Sequence, residues 1–172
     1  AANTPQVYGI GYTAYVINGV NDCLNTGDIT VQTNANTNMY VCGGILGITA
    51  SGETKGVCHR MKNEGDITVL PYNESSTISG SLTVVGLTNN MNCGLEGTEG
   101  APSGNSGNIT VTSTSTGSVS VAGVSVTLGE GSFSFKNVEN SGNITYKGDV
   151  ARASVGGVIG RSYRAGVRLC TN

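Results

Sequence analysis

The sequence predicts an all-β fold, a right-handed β-solenoid of about four to five coils without significant helix, and two observations carry this prediction. The first is composition: glycine occurs 27 times in 172 residues, and glycine, serine, threonine and asparagine together make up nearly half of the chain. These residues disfavour helices, because glycine loses backbone entropy and the other three bond to their own backbone. The second is an internal repeat, which in solenoids corresponds to one coil of a stack.

Each repeat opens with an Asn-x-Gly turn that leads into a short strand. The residues after the turn alternate between apolar and polar, so Ile29 and Val31 are expected inside with Thr30 outside. The copies are 38, 42 and 35 residues apart and begin at Asn25, Asn63, Asn105 and Asn140. Stacking is expected to align these asparagines in one column. Two further columns are expected to form from the glycines Gly27, Gly65, Gly107 and Gly142 and from the isoleucines Ile29, Ile67, Ile109 and Ile144.

A second block, rich in glycine, follows each leading block. It runs over residues 41–47 in the first repeat and returns around Gly86, Gly123 and Gly157, and residues 7–11 fit the same slot. Such a block suits a strand that bends or contacts a neighbouring backbone. We therefore expect residues 1–172 to form one solenoid domain, with connections of variable length bulging from one side.

The chain opens in mid-repeat, and Asn172 stands where the next leading asparagine is due. End coils of a solenoid expose strand edges unless they are covered. We therefore expect a segment of a longer chain, or a subunit whose ends are covered by copies stacked end to end. The expected partners are these copies or neighbouring coils of the same chain.

The two blocks resemble the GLUG repeat. They alternate Asn-x-Gly-x-Ile with Gly-Gly-Ile-Leu-Gly at 43–47 and Gly-Gly-Val-Ile-Gly at 156–160. GLUG repeats occur in tandem in large bacterial surface proteins, including adhesin-like chains and some immunoglobulin-A-cleaving metallopeptidases. The resemblance covers essentially the whole chain and implies a β-solenoid in an extracellular, cell-surface protein, as a stalk, adhesin or fibre component. It implies no catalytic residue, because in the peptidases the repeats lie outside the zinc site.

The reactive side chains indicate a non-catalytic protein. His59 is the only histidine, and its neighbour Cys58 would face the other side of a strand, so no Cys–His dyad is expected. The cysteines form no Cys-x-x-Cys motif, and we expect neither a metal nor a cofactor. The remaining enzymatic hypothesis is a polysaccharide-acting β-helix enzyme. In that case Asp28 and Asp66, which share a slot in consecutive repeats, would hold a cation; otherwise they form a solvated turn.

Charge is low overall and basic at the C-terminal end. A net charge of −2 gives no reason to expect nucleic-acid binding, and no apolar run approaches the ~20 residues of a membrane-spanning helix. Arginine offers bidentate donors and tyrosine a stacking face, which together favour anionic or glycan ligands. The candidate residues for binding host or environmental glycans or proteins are Arg161, Tyr163, Arg164 and Arg168. The alternative is a solvated face of the last coil.

The five cysteines leave at least one thiol outside any intramolecular disulfide. Cys23 and Cys170 share a slot, each two residues before an asparagine of the column. They lie four coils apart, or about 19 Å at ~4.8 Å per coil, which is too far for a disulfide. Cys23 and Cys58 lie in adjacent coils and are the best candidate pair.

Overall fold

The computed structural model describes residues 4–16, 20–34, 37–50, 57–74, 77–91, 94–113, 117–128, 134–150, 152–162, 166–168 and 170–172. In these ranges the chain forms strands and turns without any helix, and all paired strands run parallel. The predicted all-β solenoid is confirmed. Threonine, valine and isoleucine at alternate positions favour strands, and the glycine-containing turns between them bend the chain from one sheet to the next.

The strands follow one another in five-strand sets, one set per coil. The chain enters through β1 (Gln6–Tyr8) and β2 (Gly11–Val16). The first set is β3 (Leu24–Asn25), β4 (Ile29–Thr33), β5 (Met39–Cys42), β6 (Ile45–Ala50) and β7 (Val57–His59). The second is β8 (Lys62–Asn63), β9 (Ile67–Pro71), β10 (Leu82–Val85), β11 (Thr88–Met91) and β12 (Gly94–Glu96).

The same order continues to the C-terminal end. The third set is β13 (Ser103–Asn105), β14 (Ile109–Thr112), β15 (Ser118–Ala122), β16 (Ser125–Leu128) and β17 (Ser134–Lys136). The fourth is β18 (Val138–Asn140), β19 (Ile144–Lys147), β20 (Arg152–Gly156), β21 (Ile159–Ser162) and β22 (Gly166–Arg168).

Equivalent strands of successive coils pair into five sheets. Sheet A is β1-β5-β10-β15-β20 and sheet B is β2-β6-β11-β16-β21. The four-stranded sheets are C (β7-β12-β17-β22), D (β3-β8-β13-β18) and E (β4-β9-β14-β19). A four-stranded sheet corresponds to three complete turns of the chain and a five-stranded sheet to four. The solenoid therefore has slightly fewer turns than the four to five coils expected.

The register of the sheets aligns the repeats as predicted. In sheet E the isoleucines Ile29, Ile67, Ile109 and Ile144 form one column, and the threonine after each forms the next. In sheet A the valines of the second block stack as Val7, Val41, Val84, Val121 and Val155. The blocks at Gly86 and Gly123, which keep one glycine of the pair, therefore align like the others.

The expectation that variable connections bulge from one side was wrong. The connection from sheet E to sheet A runs from Pro71 to Leu82 in the second coil but only from Lys147 to Arg152 in the fourth. The connection from sheet B to sheet C also varies, and residues 98–102 are inserted between sheets C and D in a single coil. Each corner is a surface turn that can lengthen without changing strand register, so length varies at three corners.

The buried apolar side chains form three clusters, and the two larger ones occupy separate compartments; the smallest consists of Cys42, Val85, Ala122 and Val126 from sheets A and B. One cluster, with Val41, Ile67 and Leu82, fills the space between sheets A and E. A second cluster, with Ile45, Met61 and Phe135, lies among sheets B, C and D. The chain crosses from the second cluster to the first at the asparagine of each repeat, and back at the glycine of the second block. These two positions separate the compartments.

Asparagine and glycine touch across the interior at this division. A Cβ atom added to Gly43 would lie 2.5 Å from Cγ of Asn63, and one added to Gly86 would lie 2.5 Å from Cγ of Asn105. The same Cβ atoms would also collide with the backbone of the next coil, at the carbonyl oxygens of Gly86 and Gly123. The second-block glycine is thus required by the asparagine facing it, which explains why the two blocks occur together.

We expect the Gly86→Ala substitution to lower the free energy of unfolding by about 1–3 kcal/mol, because neither backbone nor buried amide can yield to the new methyl group. Gly100→Ala is the matched control, since a Cβ atom there has no neighbour within 4 Å; its effect should stay within about 0.5 kcal/mol. Denaturant unfolding of both variants measures the difference. Equal unfolding midpoints would contradict the close contact.

Candidate functional site

A ladder of asparagine side chains runs through the interior of the molecule. Each Nδ2 donates to Oδ1 of the asparagine one coil further on, at 2.7 Å from Asn25 to Asn63 and 2.7 Å from Asn63 to Asn105. The next step, from Asn105 to Asn140, is 2.8 Å. The three inner members are at most 3% exposed. We call this series the asparagine ladder.

The ladder extends to the last residue of the sequence. Asn140 Nδ2 donates to Asn172 Oδ1 at 2.8 Å, so the prediction that Asn172 occupies the next asparagine slot is confirmed. Residues 170–172 add to sheet D, where Thr171 bridges to Glu139. The ladder therefore runs through all four leading repeats and into the start of a fifth.

Each inner amide of the ladder uses both of its donor hydrogens. Besides its bond to the next coil, Asn63 Nδ2 donates to the carbonyl oxygen of Gly65 at 2.8 Å, and Asn105 bonds Gly107 in the same way at 2.7 Å. The predicted glycine column lies in the Asn-x-Gly turns. Each of these turns passes against the turn of the preceding coil, so a Cβ atom on Gly107 would collide with the carbonyl oxygen of Gly65. By contrast, the buried hydroxyls of Ser113 and Tyr146 have no hydrogen-bond partner among the residues that the structure describes.

A second ladder runs along the exposed side of the same turns. Asp28 Oδ1 accepts from the backbone N–H of Asp66 at 2.9 Å, and Asp66 Oδ1 accepts from that of Asn108 at 2.7 Å. Asn108 repeats the contact with Asn143 at 3.1 Å. The carboxylates thus bind backbone amides of the following coil. Within the described ranges, no group of three or more histidine, cysteine or acidic side chains is arranged to hold a metal ion.

The histidine and its cysteine neighbour face opposite sides of β7. Cys58 is fully buried in the cluster among sheets B, C and D, whereas His59 is half-buried on the outer side. This agrees with the expectation that the two do not form a dyad.

Beside them, Arg60 donates to both carboxylate oxygens of Asp22, at 2.5 and 2.8 Å. This hydrogen bond, with desolvation opposing it, lowers the pKa of Asp22.

Asp22 and Arg60 occupy one slot of the repeat, the corner between sheets C and D. Both have positive φ, 57° and 52°, and Asn137 in the same slot has φ 50°. Aspartate and asparagine tolerate this left-handed conformation better than most residues. The corner geometry was not predicted, because the slot is filled by different residue types in each repeat.

The candidate disulfide between Cys23 and Cys58 is not formed, and both residues are thiols. Strand register explains this, because Leu24 pairs with Lys62 and Asn21 with His59. Cys23 therefore stacks on Met61, and Cys58 on Val20. Cys42 is also a buried thiol, donating to the carbonyl oxygen of Leu87 at 3.1 Å, and burial raises its pKa to about 12.

The predicted basic ligand site lies largely outside the described residues. Tyr163 and Arg164 fall in the undescribed segment 163–165. The backbone of Arg161 is in β21 and pairs with Thr127, and that of Arg168 is in β22 and pairs with Lys136. Arg161 and Arg168 are thus on neighbouring sheets of the last coil.

None of the described segments is a helix that could span a bilayer.

One surface depression was missed in the sequence. It has a volume of about 240 Å³ and lies between the inserted turn 98–102 and β18, with Glu99, Asn137 and Glu139 in its lining. The turn is closed by a pair of backbone hydrogen bonds between Thr98 and Ala101, at 3.0 and 3.1 Å. The available signal was repeat length, because the insertion falls in the longest repeat, the one of 42 residues.

Comparison of the chain with protein-family models, with curated proteins and with solved structures gives no match.

We expect Asn63→Ala to be among the most destabilising single substitutions. The substitution removes the hydrogen bonds that Asn63 donates to Gly65 and Asn105 and the one that it accepts from Asn25. Each interior group left unsatisfied lowers the free energy of unfolding by about 1–3 kcal/mol. Asn143→Ala, which removes only the exposed 3.2 Å side-chain contact to Asn108, is the control. Thermal unfolding should show a far larger loss for Asn63→Ala. Similar losses for both variants would contradict the role of the buried ladder.

The pH dependence of the Asp22–Arg60 pair follows from the lowered pKa of Asp22. A lowered pKa means that its stabilisation is present above the ordinary value of 3.8 and is lost as the pH falls through the folded-state pKa. In Arg60→Gln the carboxyl should titrate closer to 3.8. NMR titration of the Asp22 carboxyl carbon measures this, and Arg60→Lys should give an intermediate pKa. An unchanged pKa in Arg60→Gln would contradict the pairing.

Proposed function

We propose that this chain is a structural and display module of an extracellular cell-surface protein: a non-catalytic segment of a stalk, adhesin or fibre. The asparagine ladder is the observation that carries the proposal. It joins each coil to the next through side chains that are buried up to Asn140, in addition to the strand hydrogen bonds, and continues to the exposed Asn172. A stack connected in this way resists bending and slippage between coils, which suits a protein that spans a distance.

The outer surface supports a display role. The strands keep the same register in every coil, while the corners accept connections of different length. Inserted segments therefore project from a fixed frame, as residues 98–102 do. Such corners are where natural variation and binding loops accumulate on rigid scaffolds.

The extracellular location and the bacterial setting are proposed on the resemblance to GLUG repeats. In support, the repeat blocks that carry the resemblance occupy equivalent positions in successive coils, including the less regular ones at Gly86 and Gly123. The proposed partners are coils of the same protein or further copies, and host or environmental proteins reached by the displayed surface. Glycans are the partners of the second candidate function below.

A glycan-binding module is the second candidate function. It is favoured by the basic positions of the last coil, where Arg168 pairs in register with the exposed Lys136 and Arg161 lies on the adjacent sheet. A planar guanidinium group binds carboxylate or sulfate groups of acidic sugars through paired hydrogen bonds. A polysaccharide-acting enzyme is a weaker candidate, because the described carboxylates Asp28 and Asp66 bind backbone amides.

Two measurements on the same protein separate these functions. An antibody against the chain should label intact producing cells, or fibres detached from them, as strongly as permeabilised cells. A glycan array probed with the purified chain should show no saturable binding. Labelling that requires permeabilisation would contradict the surface role. Saturable binding that is lost in the Arg161→Ala, Arg164→Ala double variant would establish the glycan-binding alternative instead.

A further inference from the structure

We propose that the outer face of sheet D binds the C-terminal arginine of a partner protein, with the guanidinium group in the depression beside residues 98–102 and the carboxylate group in a smaller depression next to it. The inference rests on the proposed display role and deepens it by naming a partner of defined chemistry. Three observations support it: the contact between the two depressions, their opposite charges, and the fact that no described residue pairs with those charges.

The two depressions adjoin each other. The larger, of about 240 Å³, and the smaller, of about 40 Å³, both have Pro102 and Glu139 in their linings. One water molecule occupies ~30 Å³ in the liquid, so the smaller depression holds a group of a few atoms and the larger one a group of side-chain size. A ligand with a compact group at one end and a longer group at the other fits this pair.

The smaller depression lies where the outward column of sheet D has no side chain. Gly104 pairs with Lys62 on one side and with Glu139 on the other, so the two charged residues flank it at two strand spacings, ~9.6 Å between their Cα atoms. Gly104 has a φ of 148°, and a Cβ atom there would collide with the carbonyl oxygen of Glu139. The gap between Lys62 and Glu139 is therefore built into the backbone.

The site lies between coils that the described chain supplies on both sides. Leu24 pairs with Lys62 in the preceding coil, and Thr171 bridges to Glu139 in the following one. The far wall, residues 98–102, is a turn closed by its own backbone hydrogen bonds. Sheet register and this inserted turn thus hold the charged residues of the site in place.

The two depressions differ in charge. The larger has the carboxylates of Glu99 and Glu139 and the carboxamide of Asn137 in its lining, with no cationic residue among the lining residues that are described. The smaller has Lys62 in its lining, together with the hydroxyl of Ser106. Within the described part of the chain, Lys62, Glu99 and Glu139 take part in no ion pair. Their charges are available to a ligand.

These groups match the two ends of an arginine that carries a free carboxylate. A guanidinium group has five N–H donors in a planar fork and binds carboxylates through paired hydrogen bonds, which suits Glu99 and Glu139. The α-carboxylate of the same arginine then meets the ammonium group of Lys62. An arginine inside a chain lacks this carboxylate, so the site selects the C-terminal position. Lysine is bound less well, because its ammonium group is a point charge without the planar fork.

The test measures the binding of three short peptides to the purified 172-residue chain by isothermal titration calorimetry. The first peptide is acetyl-Gly-Gly-Arg with a free C-terminal carboxylate, and the second is its C-terminal amide. The third has citrulline in place of arginine, which keeps the shape and removes the positive charge. We expect saturable binding of the first peptide and about tenfold weaker binding of each of the others, because each loses one charge-assisted contact.

Variants assign the contacts to residues. Glu99→Gln and Glu139→Gln should each weaken binding of the free-acid peptide about tenfold. Glu64→Gln, which neutralises an exposed carboxylate outside the described linings of both depressions, is the matched control and should leave the affinity unchanged. Lys62→Met should bind the free acid and the amide equally, an effect that a purely structural role of Lys62 would not cause. Unfolding midpoints equal to that of the unsubstituted chain verify that each variant is folded.

Several results would overturn the proposal. They are failure of the free-acid peptide to bind, equal affinity for the free acid and either matched peptide, and unchanged affinity in both Glu99→Gln and Glu139→Gln. A chain that does not bind the peptide but is labelled on intact cells would overturn this site and leave the structural role standing. Peptide binding with the expected variant effects but without surface labelling would contradict the surface role and support the site.

Discussion

The hydrogen-bond requirement of a buried carboxamide is the constraint on which this structure depends. An asparagine enclosed in the interior must satisfy two donor hydrogens and an acceptor oxygen, and each group left unpaired costs about 1–3 kcal/mol. Asn63 meets all three needs only if another asparagine lies one coil above and one below it. A slip of one residue between coils breaks several of these bonds at once. The asparagine column therefore fixes the strand register throughout the solenoid. That register in turn decides which side chains of sheets A and E face the interior and which face outwards.

The same column explains the composition of the core. Because asparagine meets glycine across the interior, the two larger apolar clusters are kept apart, and aliphatic side chains supply most of both. A chain without tryptophan and with two phenylalanines can therefore still bury its interior, with Phe135 as one of the largest side chains enclosed. Each coil packs on its immediate neighbours, so stability accumulates from coil to coil. The proposed stalk uses this one-dimensional design.

The columns could be predicted from the sequence because each position in a column requires one particular type of residue. Asparagine, glycine and isoleucine recur at fixed offsets in each repeat, and even the slot of Asn172 could be located by counting. The corners could not be predicted in this way: Asp22, Arg60 and Asn137 share a left-handed conformation but no side-chain type. The predicted pairing of Cys23 with Cys58 was wrong, because the register set by Asn25 and Asn63 stacks Cys23 on Met61. The depression beside residues 98–102 depends on one insertion, which repetition cannot reveal.

Hydrogen exchange of the asparagine side-chain amides, followed by NMR, tests the central claim most directly. If the ladder is buried and continuous, the Nδ2 hydrogens of Asn63 and Asn105 exchange only when the solenoid unfolds, at rates that follow its global stability. The amides of Asn108 and Asn143, exposed on the outer ladder, should exchange orders of magnitude faster in the same sample. Equal exchange at inner and outer positions would show that the interior amides reach water in the folded protein, and would contradict the account.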